Sequence, residues 1–398
     1  MAPKSSAGAP SVTLSIQGLT SSGDGVARLA DGRVAFVRGA LPGDEVEARI
    51  TESKERLVNA DAVRVLTPSP QRVTSTCLRE RCGGCALRDF DVTAQREVKV
   101  DQVLQAMTRI GKLDAAPVFR GMMHGAAWRY RHRARFHARH DGQWRLGYHA
   151  RGSHDLVDLT ECPILWPELE AAARDLAAWL APQPKSLRVR EVELAYSRRD
   201  GRAVAAFMAA EQVRDGPFDN GVLRYDHAGD FTLRFSAGVF TQANPEMNDQ
   251  LVAAVLQAVR GERVLELHSG IGNFSLPLAV AGHVVRAVEE NPASSALAKE
   301  NANGFSVVTV TASDRAAVAD ADRYDTVLLD PPRIGARDVA SRLAARGPSR
   351  VVYVSCDPAT LARDLRLLVD GGYRLDALST FDLFPQTPHV ESLAVLTR

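Results

Sequence analysis

The chain has 398 residues, a length at which a single hydrophobic core has usually stopped growing, so two or three domains are expected. Hydrophobic residues make up 45% and permit ordinary cores, while 49 basic against 48 acidic side chains leave a net charge of +1, so any basic surface must be local. No run approaches the ~20 apolar residues needed to cross a bilayer, and the opening MAPKSSAGAP lacks the apolar stretch of a signal peptide, so a cytoplasmic location is expected.

Residues 1–10 are rich in Ala, Pro and Ser and read as a disordered tail. Over residues 11–70, short runs such as VTLSI, GRVAFV, DEVEARI and NADAVRVL are separated by Gly, Asp and Pro turns, which predicts a small β-barrel.

Residues 71–230 read as a central α+β domain with helical stretches near 92–110 and 167–180. Here lie Cys77, Cys82, Cys85 and Cys162, while Cys356 stands alone far downstream. Gly83 and Gly84 would let the loop wrap closely round a metal centre. Four thiolates can hold a [4Fe–4S] cluster or a zinc ion; spacing does not decide, and the bare C-x2-C motif favours zinc. Between Trp128 and His154 there are seven arginines with Asp141 as the only acid. Arg129, Arg131, Arg133 and Arg135 alternate with Tyr130, His132, Ala134 and Phe136, which predicts four guanidinium groups on one strand face, suited to RNA phosphates.

From 231 to 398 the strand candidates RVLEL, HVVRAVE, TVLLD and RVVYVS alternate with helices in the rhythm of a doubly wound α/β sheet. The segment from Glu266 to Ser275 carries Gly270 and Gly272 after a strand, where such sheets bind ligands. Position 275 is Ser rather than a third glycine, which disfavours a dinucleotide and suits an adenosine-type cofactor. Glu289, 17 residues beyond Gly272, can accept hydrogen bonds from ribose hydroxyls. Asp330-Pro-Pro-Arg333 ends a later strand; its prolines make a rigid loop, and an arginine after them, instead of an aromatic residue, demotes adenine methylation.

The strand RVVYVS leads into Cys356-Asp357-Pro358 and a helix start, a place where the helix dipole favours a thiolate. Uracil C5 is too weak a nucleophile to attack a sulfonium methyl unaided. Thiolate addition at C6 generates an enolate with carbanion character at C5, and a carboxylate can later remove the C5 proton. Glu391, after Phe384-Pro-Gln-Thr-Pro-His389-Val, is the candidate base. Cytosine-C5 enzymes use a second cysteine in their active-site motifs, and Cys356 has no such companion.

Phe240 to Asn248, Glu266 to Ala279, Asp330 to Gly335, Tyr353 to Asp364 and Phe384 to Glu391, in this order, resemble the RNA 5-methyluridine methyltransferase family. The resemblance spans nearly the whole chain. It implies a TRAM RNA-binding barrel, a central iron–sulfur domain and a C-terminal Rossmann-like S-adenosylmethionine methyltransferase domain. It further implies Cys356 as nucleophile and Glu391 as proton acceptor. Gln242, His268, Glu289, Asp330 and Asn273 fall where the family binds S-adenosylmethionine, with Ser313 a further candidate and Phe240 lining the base pocket. In the cluster-bearing members the four cysteines hold [4Fe–4S], which reverses the preference for zinc; four ligand candidates also disfavour a radical mechanism. The run Gly147 to Asp158 is most similar to the 23S ribosomal RNA branch. The expectation is a monomeric rRNA uracil-C5 methyltransferase. The alternatives are a tRNA uridine-C5 methyltransferase and a non-catalytic RNA-binding iron–sulfur protein. Three departures stand out: His268-Ser269 replaces an aromatic and a Cys, Asp357 replaces the commoner Asn, and the Cys77 to Cys82 interval is one residue short.

Overall fold

Alternating apolar and polar residues give the first strands one face to bury, and they form one antiparallel-rich sheet. The computed structural model describes residues 11–398 except Leu78 and residues 159–160, 209–212, 214–215 and 228–230; the tail expected over residues 1–10 lies outside the described residues. Strands β1 (Ser11–Ser15), β2 (Gly18–Leu19), β3 (Gly25–Arg28), β4 (Val34–Arg38), β5 (Glu45–Ser53) and β6 (Leu57–Thr67) lie in the order β1-β5-β6-β4-β3-β2. Leu14, Ile16, Val37, Val46 and Ala48 fill the core of this sheet. Asp44 is buried yet satisfied, accepting from the backbone N–H of Leu41 and Ser69 and pairing with Arg72 at 2.7 Å.

The chain divides into two compact units. One runs through Gln102 and includes Phe384–His389; the other comprises Val103–Leu383 and Val390–Arg398. Helix α1 (Val92–Ala106) begins in the first, where Gln95 binds the backbone of Leu87 and Phe90 and both the side chain and the N–H of Gln386.

The second unit contains two larger sheets. Strands β8 (Arg133–His140), β9 (Trp144–His149), β10 (Leu156–Asp158), β11 (Glu191–Ser197) and β12 (Arg202–Met208) form an antiparallel sheet in the order β10-β9-β8-β11-β12, with helix α2 (Pro167–Leu180) in the same region. A hairpin of β13 (Val222–His227) and β14 (Phe231–Ser236) precedes helix α3 (Pro245–Ala258).

The remaining elements build an eight-stranded sheet: β15 (Arg263–Leu267), α4 (Ser275–Val280), β16 (Val284–Glu289), α5 (Pro292–Asn301), β17 (Val307–Thr311), α6 (Asp314–Ala317), β18 (Thr326–Leu329), α7 (Arg337–Ala345), β19 (Arg350–Ser355), α8 (Pro358–Asp370), β20 (Arg374–Phe381) and β21 (Glu391–Thr397). With β7 (Phe119–Met123) the order is β17-β16-β15-β18-β19-β21-β20-β7. Strands β15 to β19 are parallel, and both faces of β18 and β19 are buried, as their unbroken apolar runs require. Helices α3, α5 and α8 start on Asn244, Asn291 and Asp357, each followed by a proline, the pairing of side-chain cap and preset backbone that begins a helix sharply. The order reverses between β15 and β18, so the ligand crevice lies outside the carboxyl ends of these strands.

Candidate active site

Parallel strands deliver their last residues to one edge of the sheet, and the residues singled out from the sequence arrive there. His268 follows β15, Glu289 ends β16, Asp330 follows β18 and Cys356 follows β19. Strand β21 runs antiparallel to β19 with Ser392 opposite Ser355, so its first residue, Glu391, reaches the same edge beside Cys356.

On the cofactor side, Glu289 orders the turn after β15: one carboxylate oxygen accepts from Gly270 N–H at 2.9 Å and the other from Asn291 N–H at 2.7 Å. Gly272 has φ +97°, a backbone conformation that favours glycine, and a Cβ there would also push against the end of the Leu276 side chain. Asn273 exchanges two side-chain hydrogen bonds with Asn248 of α3, at 2.8 and 3.0 Å, which ties this turn to α3. His268 also adopts left-handed backbone, φ +62°, and its Nε2 lies 3.2 Å from the Asp314 carboxylate at the start of α6, just after Ser313. Burial lowers the His268 pKa, while burial followed by Glu290 and Glu289 raises Asp314 to about 6. Asp314 had no sequence signal; only the return of the chain after β17 brings it to His268. Fully buried Glu266 accepts from Ser275 Oγ, and burial lifts its pKa to about 8.

On the reaction side, Cys356 is half-buried, with its thiol pushed up to about 12 by burial, then by Glu391 and Asp330, against a smaller opposing effect of Arg333. The helix after it does not offer a bare positive end. The Asp357 carboxylate caps α8, accepting from Ala359 N–H at 3.0 Å and Thr360 N–H at 2.8 Å, and its charge also raises the thiol. The expectation that the helix start favours the thiolate is therefore corrected. Glu391 is buried and Asp330 half-buried, and both carboxyl groups have raised pKa values, because each loses hydration and Glu391 feels the charge of Asp330.

The Asp330 loop is rigid for more reasons than its prolines. Thr360 Oγ1 donates to Arg333 O at 3.1 Å and Arg363 donates to Ile334 O at 2.9 Å. Asp364 accepts from Ala336 N–H and Tyr353 Oη, both at 2.8 Å. These partners lie on β19 and α8 and were not identifiable from the sequence.

The arginine run departs most from expectation. Only Arg133 and Arg135 of the four lie on strand β8. Arg133 is buried, 7% exposed at its side chain, in contact with Glu193 of β11, and Arg135 pairs with Glu193 and Glu191. Arg129 pairs with Glu170 of α2, and Arg131 donates to Arg133 O at 2.9 Å. The acids missing from the local sequence come from elements about forty to sixty residues away.

Cys77, Cys82 and Cys85 belong to the first unit and Cys162 to the second. Gly84 N–H lies 3.5 Å from Cys82 Sγ, and Cys162 N–H donates to Glu170 at 2.8 Å. Among the described residues, no group of three or more His, Cys, Asp or Glu is arranged to hold a metal ion. No helix among them is long and apolar enough to cross a membrane.

Residues 11–63 match the TRAM domain family, residues 230–349 the methyltransferase small domain family, and residues 314–398 the tRNA (uracil-5-)-methyltransferase family. The chain is 36% identical to a 23S rRNA (uracil(1939)-C(5))-methyltransferase RlmD of Pectobacterium atrosepticum, covering 97% of this chain and 94% of that protein. It is 35% identical to the RlmD of Alkalilimnicola ehrlichii, over 97% of this chain and 96% of that one. The crystal structure of Pyrococcus abyssi tRNA (uracil-54, C5)-methyltransferase in complex with S-adenosyl-L-homocysteine superimposes with a TM-score of 0.76 at 24% identity, covering 97% of this chain and 100% of that chain, a likeness of fold. With the TRAM domain, the methyltransferase sheet and full-length relatives in agreement, the chain belongs to the S-adenosylmethionine-dependent RNA uracil-C5 methyltransferase family.

Proposed function

We propose that this protein methylates C5 of a uridine in 23S ribosomal RNA, with Cys356 as nucleophile and Glu391 as proton acceptor. The carrying observation is the meeting of Cys356, Glu391 and Asp330 at one sheet edge from three different strands. The choice of ribosomal RNA follows the RlmD relatives.

S-adenosylmethionine, when bound, supplies the electrophilic methyl group. Gln242, His268, Glu289 and Asp330 would hold it, with Asn273 bracing the turn through Asn248. Cys356 Sγ must lose its proton to solvent before it adds to C6, and burial and the surrounding carboxylates oppose that loss. Arg333 is the cation that offsets them. After the methyl reaches C5, a carboxylate oxygen of Glu391 takes the C5 proton and the C6–S bond breaks, returning Cys356 as thiolate. Burial suits Glu391 to this task, since a raised pKa makes its carboxylate a stronger base. A uridine in folded RNA must leave its stack to reach this edge.

We further propose, on the family resemblance alone, that Cys77, Cys82, Cys85 and Cys162 supply the four thiols of a [4Fe–4S] cluster; among the described residues they are not arranged as a metal site. We read residues 11–70 as the TRAM barrel, 71–230 as the cluster and RNA-binding domain and 231–398 as the methyltransferase domain of a cytoplasmic monomer. Incubation with labelled S-adenosylmethionine and unmodified ribosomal RNA, followed by nucleoside analysis, tests the activity; no 5-methyluridine would refute it. Iron and sulfide analysis after anaerobic purification tests the cluster, and zinc in their place would overturn it.

A further inference from the structure

His132, just before strand β8, and Arg133, its first residue, have side chains whose polar atoms point inward, at the backbone of the loop between β14 and α3. His132 Nε2 lies 3.0 Å from Gln242 O, and its backbone N–H donates to Ala243 O at 3.1 Å. Arg133 donates to Val239 O at 2.7 Å and Thr241 Oγ1 at 2.6 Å, with Thr241 O at 3.5 Å. These two residues thus secure residues 239, 241, 242 and 243, while Phe240 between them stays 66% exposed. An aromatic ring that large, held out on a fastened backbone, is poised to meet a partner.

The clamp is itself fixed. The His132 ring packs between Trp166, Tyr225 and Phe235 at centroid distances of 5.6, 6.4 and 5.4 Å. Burial first, then Arg133, lowers its pKa to about 4, so the ring is neutral and carries one proton. A neutral imidazole donates once, and Gln242 O is nearer than Tyr196 O at 3.4 Å, so Nε2 holds that proton. Glu193 holds the other end of the Arg133 guanidinium.

We propose that His132 and Arg133 are positioning residues, which hold Gln242 for the cofactor and Phe240 for the RNA by fastening the backbone of residues 239–243. This rests on the reading of Gln242 as a cofactor contact. Arg133, expected to bind phosphate, instead serves the pocket from within, and precise placement of this kind is worth on the order of 10- to 100-fold in rate or affinity.

The experiment compares His132→Phe, His132→Gln, Arg133→Lys and Gln242→Ala in the full chain. His132→Phe keeps the ring packing and removes the donor; His132→Gln restores an N–H donor; Arg133→Lys keeps a cation at Glu193 and loses the fork. Hydrogen exchange over residues 239–243, equilibrium binding of S-adenosylhomocysteine and the KM for RNA are measured on each. The expected result is faster exchange confined to that loop and binding of S-adenosylhomocysteine weakened about ten-fold in His132→Phe and Arg133→Lys, with recovery in His132→Gln. Unchanged exchange in both His132→Phe and Arg133→Lys overturns the clamp, and faster exchange with unchanged cofactor and RNA binding overturns its positioning role. If Gln242→Ala binds S-adenosylhomocysteine normally while His132→Phe does not, the clamp stands and the role given to Gln242 falls.

Discussion

Two clusters of charged residues in the same unit follow opposite rules. At the carboxyl edge of the parallel sheet, Cys356, Asp330 and Glu391 stand close together with like charges that oppose one another. Around β8, three of the arginines that look like a cationic face, Arg129, Arg133 and Arg135, are paired with Glu170, Glu191 and Glu193. Like-charged acids held away from their ordinary pKa values are what a reaction site uses, because proton transfer needs groups tuned to the task. Complete pairing is what a structural support needs, because an unpaired buried charge would cost several kcal/mol.

The strongest way to break this contrast is Cys356→Ala. It should remove methylation by a factor of at least about 10⁴ and abolish the covalent adduct with 5-fluorouridine RNA; an adduct in that protein would place the nucleophile elsewhere. Glu391→Gln should slow turnover by roughly 10²- to 10⁴-fold. It should also remove a negative charge beside the thiol, so the midpoint for alkylation of the Cys356 peptide, followed by mass spectrometry, should move to lower pH. A midpoint that stays or rises would show that Glu391 does not act on Cys356.

The paired cluster predicts a difference between neighbours. Arg133→Ala leaves buried Glu193 with only the outer partner Arg135 and removes the donors to Val239 O and Thr241 Oγ1, and should destabilise the fold by about 3 kcal/mol. Arg135→Ala, on a half-exposed side chain, should cost under about 1 kcal/mol. Equal denaturation midpoints would refute the assignment of Arg133 to the interior. Exposed Arg139, on the same strand, remains a phosphate candidate; Arg139→Ala should lower the slope of log K for RNA against log salt by about 1.

The smallest effect concerns Glu266. Its folded pKa is raised from 4.5 to about 8, so the folded state binds its proton more tightly, and the stability this gives is lost as pH rises from about 4.5 through 8. Glu266→Gln mimics the protonated acid. Without cofactor it should leave stability unchanged near pH 4.5 and raise it by on the order of 1–3 kcal/mol by pH 9, read from thermal unfolding across pH. A constant difference would mean that Glu266 is not protonated in the folded state.

The sheet edge was legible because each of its residues sits at a strand end, and strand ends are marked locally by apolar runs, glycines and prolines. Cys356, Asp330 and Glu289 needed only the rule that parallel strands present their carboxyl ends to one edge. Asp314 and Asp364 were invisible, since nothing next to them in sequence names His268 or Tyr353 as a partner. The Asp357 cap was readable as a helix start, but its effect on the thiol required knowing where the carboxylate turns.

By itself, then, the sequence determined the strand and helix order and the family, and it offered the candidates for nucleophile, base and thiol ligands, because these depend on residue type and local spacing. Tertiary structure decided which charges face one another. Charge compensation acts through space, and β11 carries Glu191 and Glu193 to the arginines across nearly sixty residues of chain. That pairing turned the start of an expected RNA-facing strand inward, with Arg133 held between Glu193 and the backbone of Val239.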